Sequence, residues 1–136
     1  MKITFLGTGA MLPTKERNPN AIFMGYNTEG ILIDCAEGTQ KQLRLAGISP
    51  TKVTKLLITH WHGDHVLGIP GLIQSLGASN YTKKLEIYGP HGSKNFFINM
   101  MKGLVFRARI NYEIHELDEG MFFEDKYFYL ESNKVK

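Results

Sequence analysis

The chain has 136 residues, 43% hydrophobic and 21% charged, with a net charge of +3. These globular values suit one domain with a buried core and exclude a fibrous or disordered chain. No apolar run is long enough to span a bilayer, and the opening Met1-Lys2-Ile3-Thr4-Phe5 does not read as a signal peptide. The single cysteine, Cys35, excludes an internal disulfide and suits a reducing, cytoplasmic setting. A pI near 9.0 permits a polyanionic partner and is weak support for nucleic acid.

In chain order, Lys2 to Leu6 reads as a strand, and Gly7-Thr8-Gly9 with Pro13-Thr14 marks a loop. Ala21 to Tyr26 and Gly30 to Asp34 read as strands joined by a turn at Asn27 to Gly30. Thr39 to Ala46 is helical, with Gly47 as its stop. Leu56 to Thr59 is a strand, and Val66 to Leu76 holds a helix interrupted or started at Pro70. Leu85 to Tyr88 is a strand closed by Gly89-Pro90. Phe96, Phe97, Met100, Met101 and Leu104 recur at helical spacing and read as core. Tyr112 to Leu117, Met121 to Glu124 and Tyr127 to Glu131 complete the strands. Strands first, then alternating helices and strands, predict an α/β architecture: a mixed sheet with helices packed on it.

One block concentrates chemistry. Three of the five histidines and an aspartate fall within His60-Trp61-His62-Gly63-Asp64-His65, directly after an apolar run. Imidazoles and a carboxylate are ligands that zinc-like divalent ions prefer. His60 and His62 would diverge on a helix but turn to one side in an extended segment. The block therefore reads as a strand running into a metal-binding loop. Packing alone does not call for such a cluster.

The wider motifs resemble a known family. His-x-His-x-Asp-His after an apolar strand is similar to the metallo-β-lactamase superfamily. Phe5-Leu6-Gly7-Thr8-Gly9, Pro13-Thr14-Lys15-Glu16-Arg17-Asn18 and Asp34-Cys35-Ala36-Glu37-Gly38-Thr39-Gln40 narrow the resemblance to ribonuclease Z, the tRNA 3′-processing endonuclease. Ala36 replaces a family glycine. His65 to Leu72 and Tyr88-Gly89-Pro90-His91-Gly92 match in the same order. The resemblance implies the N-terminal half of a metallo-β-lactamase-like αββα sandwich. Residues 1–136 would form one such domain, truncated before the second half that supplies further ligands and a tRNA-gripping arm.

It also implies a mechanism. Two zinc ions would generate a hydroxide that attacks the phosphodiester of precursor tRNA and removes the 3′ trailer. His60 and His62 would bind one ion, Asp64 and His65 the other. Asp64 would also be the proton acceptor. Asp34 and Glu37 are outer-ligand candidates, with a turn or loop role as the alternative reading for each. Thr8, Thr14, Arg17 and Asn18 would contact phosphate or brace the loop, and Arg17 is the best phosphate candidate. The family usually forms homodimers. Two other readings stand beside this one: a superfamily hydrolase acting on a different phosphodiester, and a non-catalytic half-domain.

Outside the block, His91 reads as structural and His115 as solvent-facing. Trp61 is open between packing and base stacking. Lys102, Arg107 and Arg109 form a small basic run that reads first as a solvated face.

Overall fold

The computed structural model describes residues 1–105 and 110–135, so Arg107 and Arg109 lie outside the described residues. The chain order is β1 (Lys2–Gly7), β2 (Ala21–Tyr26), β3 (Glu29–Ile33), α1 (Thr39–Leu45), a 3-10 turn (Pro50–Lys52), β4 (Lys55–Leu57) and α2 (Gly63–Val66). It continues with α3 (Ile69–Ala78), β5 (Lys84–Gly89), α4 (Ser93–Lys102), β6 (Asn111–Glu116), β7 (Gly120–Glu124) and β8 (Tyr129–Ser132).

The first six strands form one sheet in the order β1-β2-β3-β4-β5-β6. The β1/β2 and β2/β3 pairs are antiparallel, and β3 through β6 run parallel. The parallel stretch follows from the connections: each crossover from β3 to β6 carries helix, as parallel neighbours require. The mixed sheet with helices is the expected architecture.

The register places Phe23, Leu32, Leu56 and Ile87 in one row across the sheet. This row packs with Leu43 of α1, Leu72, Ile73 and Leu76 of α3, and Phe97 of α4. Burying each such side chain stabilises the fold by roughly 1.5–3 kcal/mol. The opposite row holds Ile31, Lys55, Glu86 and Glu113. The two-stranded β7–β8 hairpin lies on that side: Phe128 meets Tyr26 edge-on at 5.7 Å and Phe122 meets Tyr88 at 5.0 Å. Lys55, nearly fully buried, is neutralised by Glu29 at 2.7 Å and Glu86 at 3.5 Å, and its ammonium stands 4.1 Å from the Phe123 ring centre.

The helix expected from Val66 to Leu76, interrupted or started at Pro70, is found as the end of α2 and then α3, with Pro70 in the first turn of α3, where its missing N–H costs nothing. Two local expectations need correction. The aromatic–methionine stripe of α4 is only partly core. Phe97 is fully buried and Met100 and Met101 pack beside it, but Phe96 and Leu104 are exposed. Leu104 lies beyond the helix end, so the stripe's last member never shares its face. His115 is half-buried, stacked on Tyr88 with centroids 4.8 Å apart, because its row faces the hairpin.

Candidate metal centre

The centre forms where β3 and β4 end side by side, at the carboxyl ends of parallel strands, where α/β sheets place ligands. The chain leaving β3 is pinned by Asp34 N–H to Leu57 O at 2.8 Å. The chain leaving β4 is pinned by Ile58 N–H to Tyr88 O at 2.8 Å. His60, Trp61 and His62 then run without regular structure, and Gly63–Val66 wind into one helical turn. The strand runs into a loop as expected, but the second half of the block, from Gly63, is helical. The turn carries Asp64 and His65 back toward His60. The ring centroids of His60 and His62 are 4.6 Å apart, and those of His60 and His65 are 4.0 Å apart.

Asp34 lies beneath this group, fully buried, with φ at 56°. Aspartate tolerates that left-handed geometry better than most residues. Its carboxylate accepts from the Thr59 N–H at 2.9 Å, Asn20 Nδ2 at 3.0 Å and the Thr59 hydroxyl at 2.9–3.0 Å. It also meets His65 Nδ1 at 2.6 Å. These donors satisfy a charge that would otherwise be costly to bury.

The network sets the tautomers of two imidazoles. A carboxylate accepts only, so His65 Nδ1 carries the proton and Nε2 is left as a lone-pair donor. The Thr59 hydroxyl spends its one proton on Asp34, so at 3.0 Å it accepts from His60 Nδ1. His60 Nε2 is likewise left free. Neutral imidazoles with Nδ1 held and Nε2 free are the form that ligates a divalent ion. Asp64 completes the set, with Oδ2 3.5 Å from His65 Nε2 and accepting from the Met11 N–H at 3.2 Å. Met11 has φ at 49°, so the loop after β1 is bent to deliver that N–H. Among the described residues, the group of three whose donor atoms all lie within 4.8 Å of one another is elsewhere, at Glu86, Glu113 and His115. There, Lys84 Nζ already stands 2.6 Å from Glu113 and 3.7 Å from Glu86.

The remaining candidates sit apart. Thr14 and Arg17 close an exposed turn, Arg17 N–H to Thr14 Oγ1 at 2.9 Å and Thr14 N–H to Arg17 O at 2.8 Å. Both line a cleft of about 260 Å³ with Thr8 and Asn18. Asn18 braces two loops, donating to Glu37 O at 2.7 Å while its carbonyl accepts from Gly9 N–H at 2.9 Å. The Glu37 side chain is exposed, and its backbone is what engages. A larger cavity of about 850 Å³ opens beside the centre, lined by Thr59, His60, Tyr88, His91 and Phe122 among others. Trp61 turns away from it, packs against the core and donates Nε1–H to Ser93 at 2.8 Å. Asn20, Thr59 and Met11 were not singled out by the sequence. An apolar strand ending in Thr before the histidines was the only signal for any of them.

The fold and this centre define a metallo-β-lactamase-fold protein. The metallo-beta-lactamase fold protein YhfI of Bacillus subtilis superposes over 90% of this chain and 48% of its own, at TM-score 0.71 and 16% identity, a likeness of fold alone. The chain belongs to the family described as Anti-Pycsar protein Apyc1, whose model matches residues 1–123. It is 46% identical over 125 residues to the ribonuclease Z of Methanothermobacter thermautotrophicus, covering 92% of this chain and 41% of that one. It is also 46% identical over 119 residues to the ribonuclease Z of Thermococcus kodakarensis, covering 88% of this chain and 38% of that one. Human tRNase Z, short form, superposes at TM-score 0.87 with 33% identity, over 96% of this chain and 59% of its own. These relatives bear out the resemblance to ribonuclease Z. The chain spans about two fifths of the length of the curated relatives it matches.

Proposed function

We propose that this chain carries the first group of ligands of a two-zinc endoribonuclease that removes the 3′ trailer from precursor tRNA. The observation that carries the reading is the Asp34–Thr59 network, which leaves His60 and His65 with Nε2 free beside Asp64. The identity to proteins named ribonuclease Z supplies the substrate class.

In this reading His60 and His62 hold one ion, and Asp64 and His65 the other. Bound zinc ions acidify water and stabilise attacking and leaving oxygens on an anionic phosphodiester. Asp34 fixes His65 directly and His60 through Thr59. Asp64 receives a proton at the carboxylate oxygen that the Met11 N–H leaves free. Arg17 and Thr14, which line the cleft across the loop, would meet a phosphate. Glu37 and Asn18 brace that loop. A homodimer in the cytoplasm accompanies the reading, as does a second half that completes the ligand set. Among the described residues no helix is long and apolar enough to cross a membrane.

The alternative is a hydrolase of this fold acting on another phosphodiester. The matching family model, described as Anti-Pycsar protein Apyc1 rather than as ribonuclease Z, is the reason to keep it. The test uses the full-length natural protein with added zinc. Cleavage of precursor tRNA after the discriminator nucleotide, abolished by a chelator and by Asp64→Ala, supports the proposal. Turnover of bis(p-nitrophenyl) phosphate without cleavage of precursor tRNA supports the alternative. Retained cleavage in Asp64→Ala at unchanged metal content would remove Asp64 from its role. The 136 residues alone are expected to cleave little or nothing, since they offer too few ligands to fill two zinc sites.

A further inference from the structure

Trp61 stands between His60 and His62. In extended backbone, residues two apart share a side and the residue between them faces the other way. Whatever holds Trp61 from behind therefore sets where both histidines point.

Three observations show how firmly it is held. Trp61 Nε1 donates to Ser93 Oγ at 2.8 Å. The Ser93 hydroxyl donates its only proton to Pro90 O at 2.6 Å, so it is fixed as acceptor toward the indole. The Trp61 ring also lies against Phe96, with centroids 5.5 Å apart. Ser93 is fully buried at the start of α4, and a side chain at Gly89 would come within 2.4 Å of its hydroxyl. The glycine leaves room for this contact. The start of α4 is in turn tied to β6, because Glu116 Oε1 accepts from Gly92 N–H at 3.1 Å and Lys94 N–H at 2.9 Å.

We propose that Trp61 is a positioning residue whose hydrogen bond to Ser93 fixes the His60–His62 ligand pair on the α4–β6 frame, while Asp34 fixes His65 from the opposite side. The His60–His62 pair then has two supports, Ser93 through Trp61 and Asp34 through Thr59, while His65 rests on Asp34 directly. This rests on the metal-binding reading above. It explains why a buried serine and a large indole meet behind a segment that has no regular structure of its own.

The experiment uses Co²⁺ as probe in the full-length protein, since two filled sites need more ligands than these 136 residues offer. Co²⁺ absorption reports ion binding at each step. Ser93→Ala is expected to need about tenfold more ion at one binding step, the other step being unchanged. Trp61→Phe keeps an aromatic ring against Phe96 and removes the N–H donor together with the second ring of the indole. Followed by Co²⁺ absorption, it is expected to show the same selective loss, and the double variant no further loss, since the two share one interaction. Normal Co²⁺ constants in both single variants would overturn the proposal. So would equal weakening of both steps together with a lowered melting temperature, the mark of a merely structural bond. Absence of Co²⁺ binding in the unaltered chain would instead bring down the metal reading, and this proposal with it.

Discussion

His65 Nδ1 and the Asp34 carboxylate meet at 2.6 Å, and Asp34 is buried completely at that point of contact. The pair fixes which nitrogen of His65 is free. Asp34→Asn keeps the shape and the left-handed backbone but replaces one acceptor oxygen with a donor among donors. Zinc affinity is expected to fall 10–100-fold, and stability by about 1–3 kcal/mol from the unpaired groups. Zinc titration with a competing chelator and a thermal melt measure the two effects. An unchanged zinc constant would separate Asp34 from the centre.

The junction of α2 and α3 passes so close to the end of β3 that no side chain fits. A Cβ on Gly68 would lie 2.0 Å from Ala36 O, and the Gly68 N–H bonds to Cys35 O at 2.9 Å. Gly68→Ala must push the two segments apart. The expected cost is about 1–3 kcal/mol, read as a lower midpoint in urea. Because the segments carry His65 and Asp34, zinc binding should weaken in parallel.

Burial pushes the Cys35 thiol up to about 12, despite its contact with Thr39. Almost no thiolate exists near neutral pH, and the side chain has no exposure. Ellman's reagent is expected to leave Cys35 untouched in the folded chain and to titrate it once urea unfolds the protein. Rapid labelling of the native chain would show that the β3 end opens.

His91 is held above the ordinary histidine value of 6.5 by its hydrogen bond to Asp118, 2.9 Å from Nε2, whose carboxylate is correspondingly lowered. A raised histidine stabilises the fold fully below its unfolded value, while Asp118 is ionised, and the gain is lost as pH rises through the folded value. Both groups are exposed, so the effect on stability is small. An NMR titration of the His91 ring should give a midpoint above 6.5 that drops in Asp118→Asn. An unmoved midpoint would remove the pair.

Much of the fold was legible in local pattern. A continuous apolar run marked β2, alternating residues marked β5, and Gly47, with φ at 72°, marked the end of α1 as a glycine stop should. What failed did so where long-range contacts overrode periodicity. His115 alternates like a surface strand, yet its row meets Tyr88, because a hairpin later in the chain lies near that face. Phe96 keeps the helical spacing of a core residue but is used at the surface, against Trp61.

The sequence by itself determined the chemistry on offer: three imidazoles and a carboxylate in six residues, after a strand, in the motif order of a ribonuclease Z relative. Ligand type and short spacing are local properties, carried by neighbouring residues. Tertiary structure decided the rest. It joined Asp34 to His65 across 31 positions, Asn20 to Asp34 across 14 and Trp61 to Ser93 across 32. Hydrogen bonds over such separations exist only once β3, β4 and β5 lie side by side. Before that pairing the sequence left Asp34 equally a turn residue or a support, and Trp61 equally a packing or a stacking residue. Pairing of the strands brings the buried Asp34 carboxylate to His65 and the Ser93 hydroxyl behind the indole.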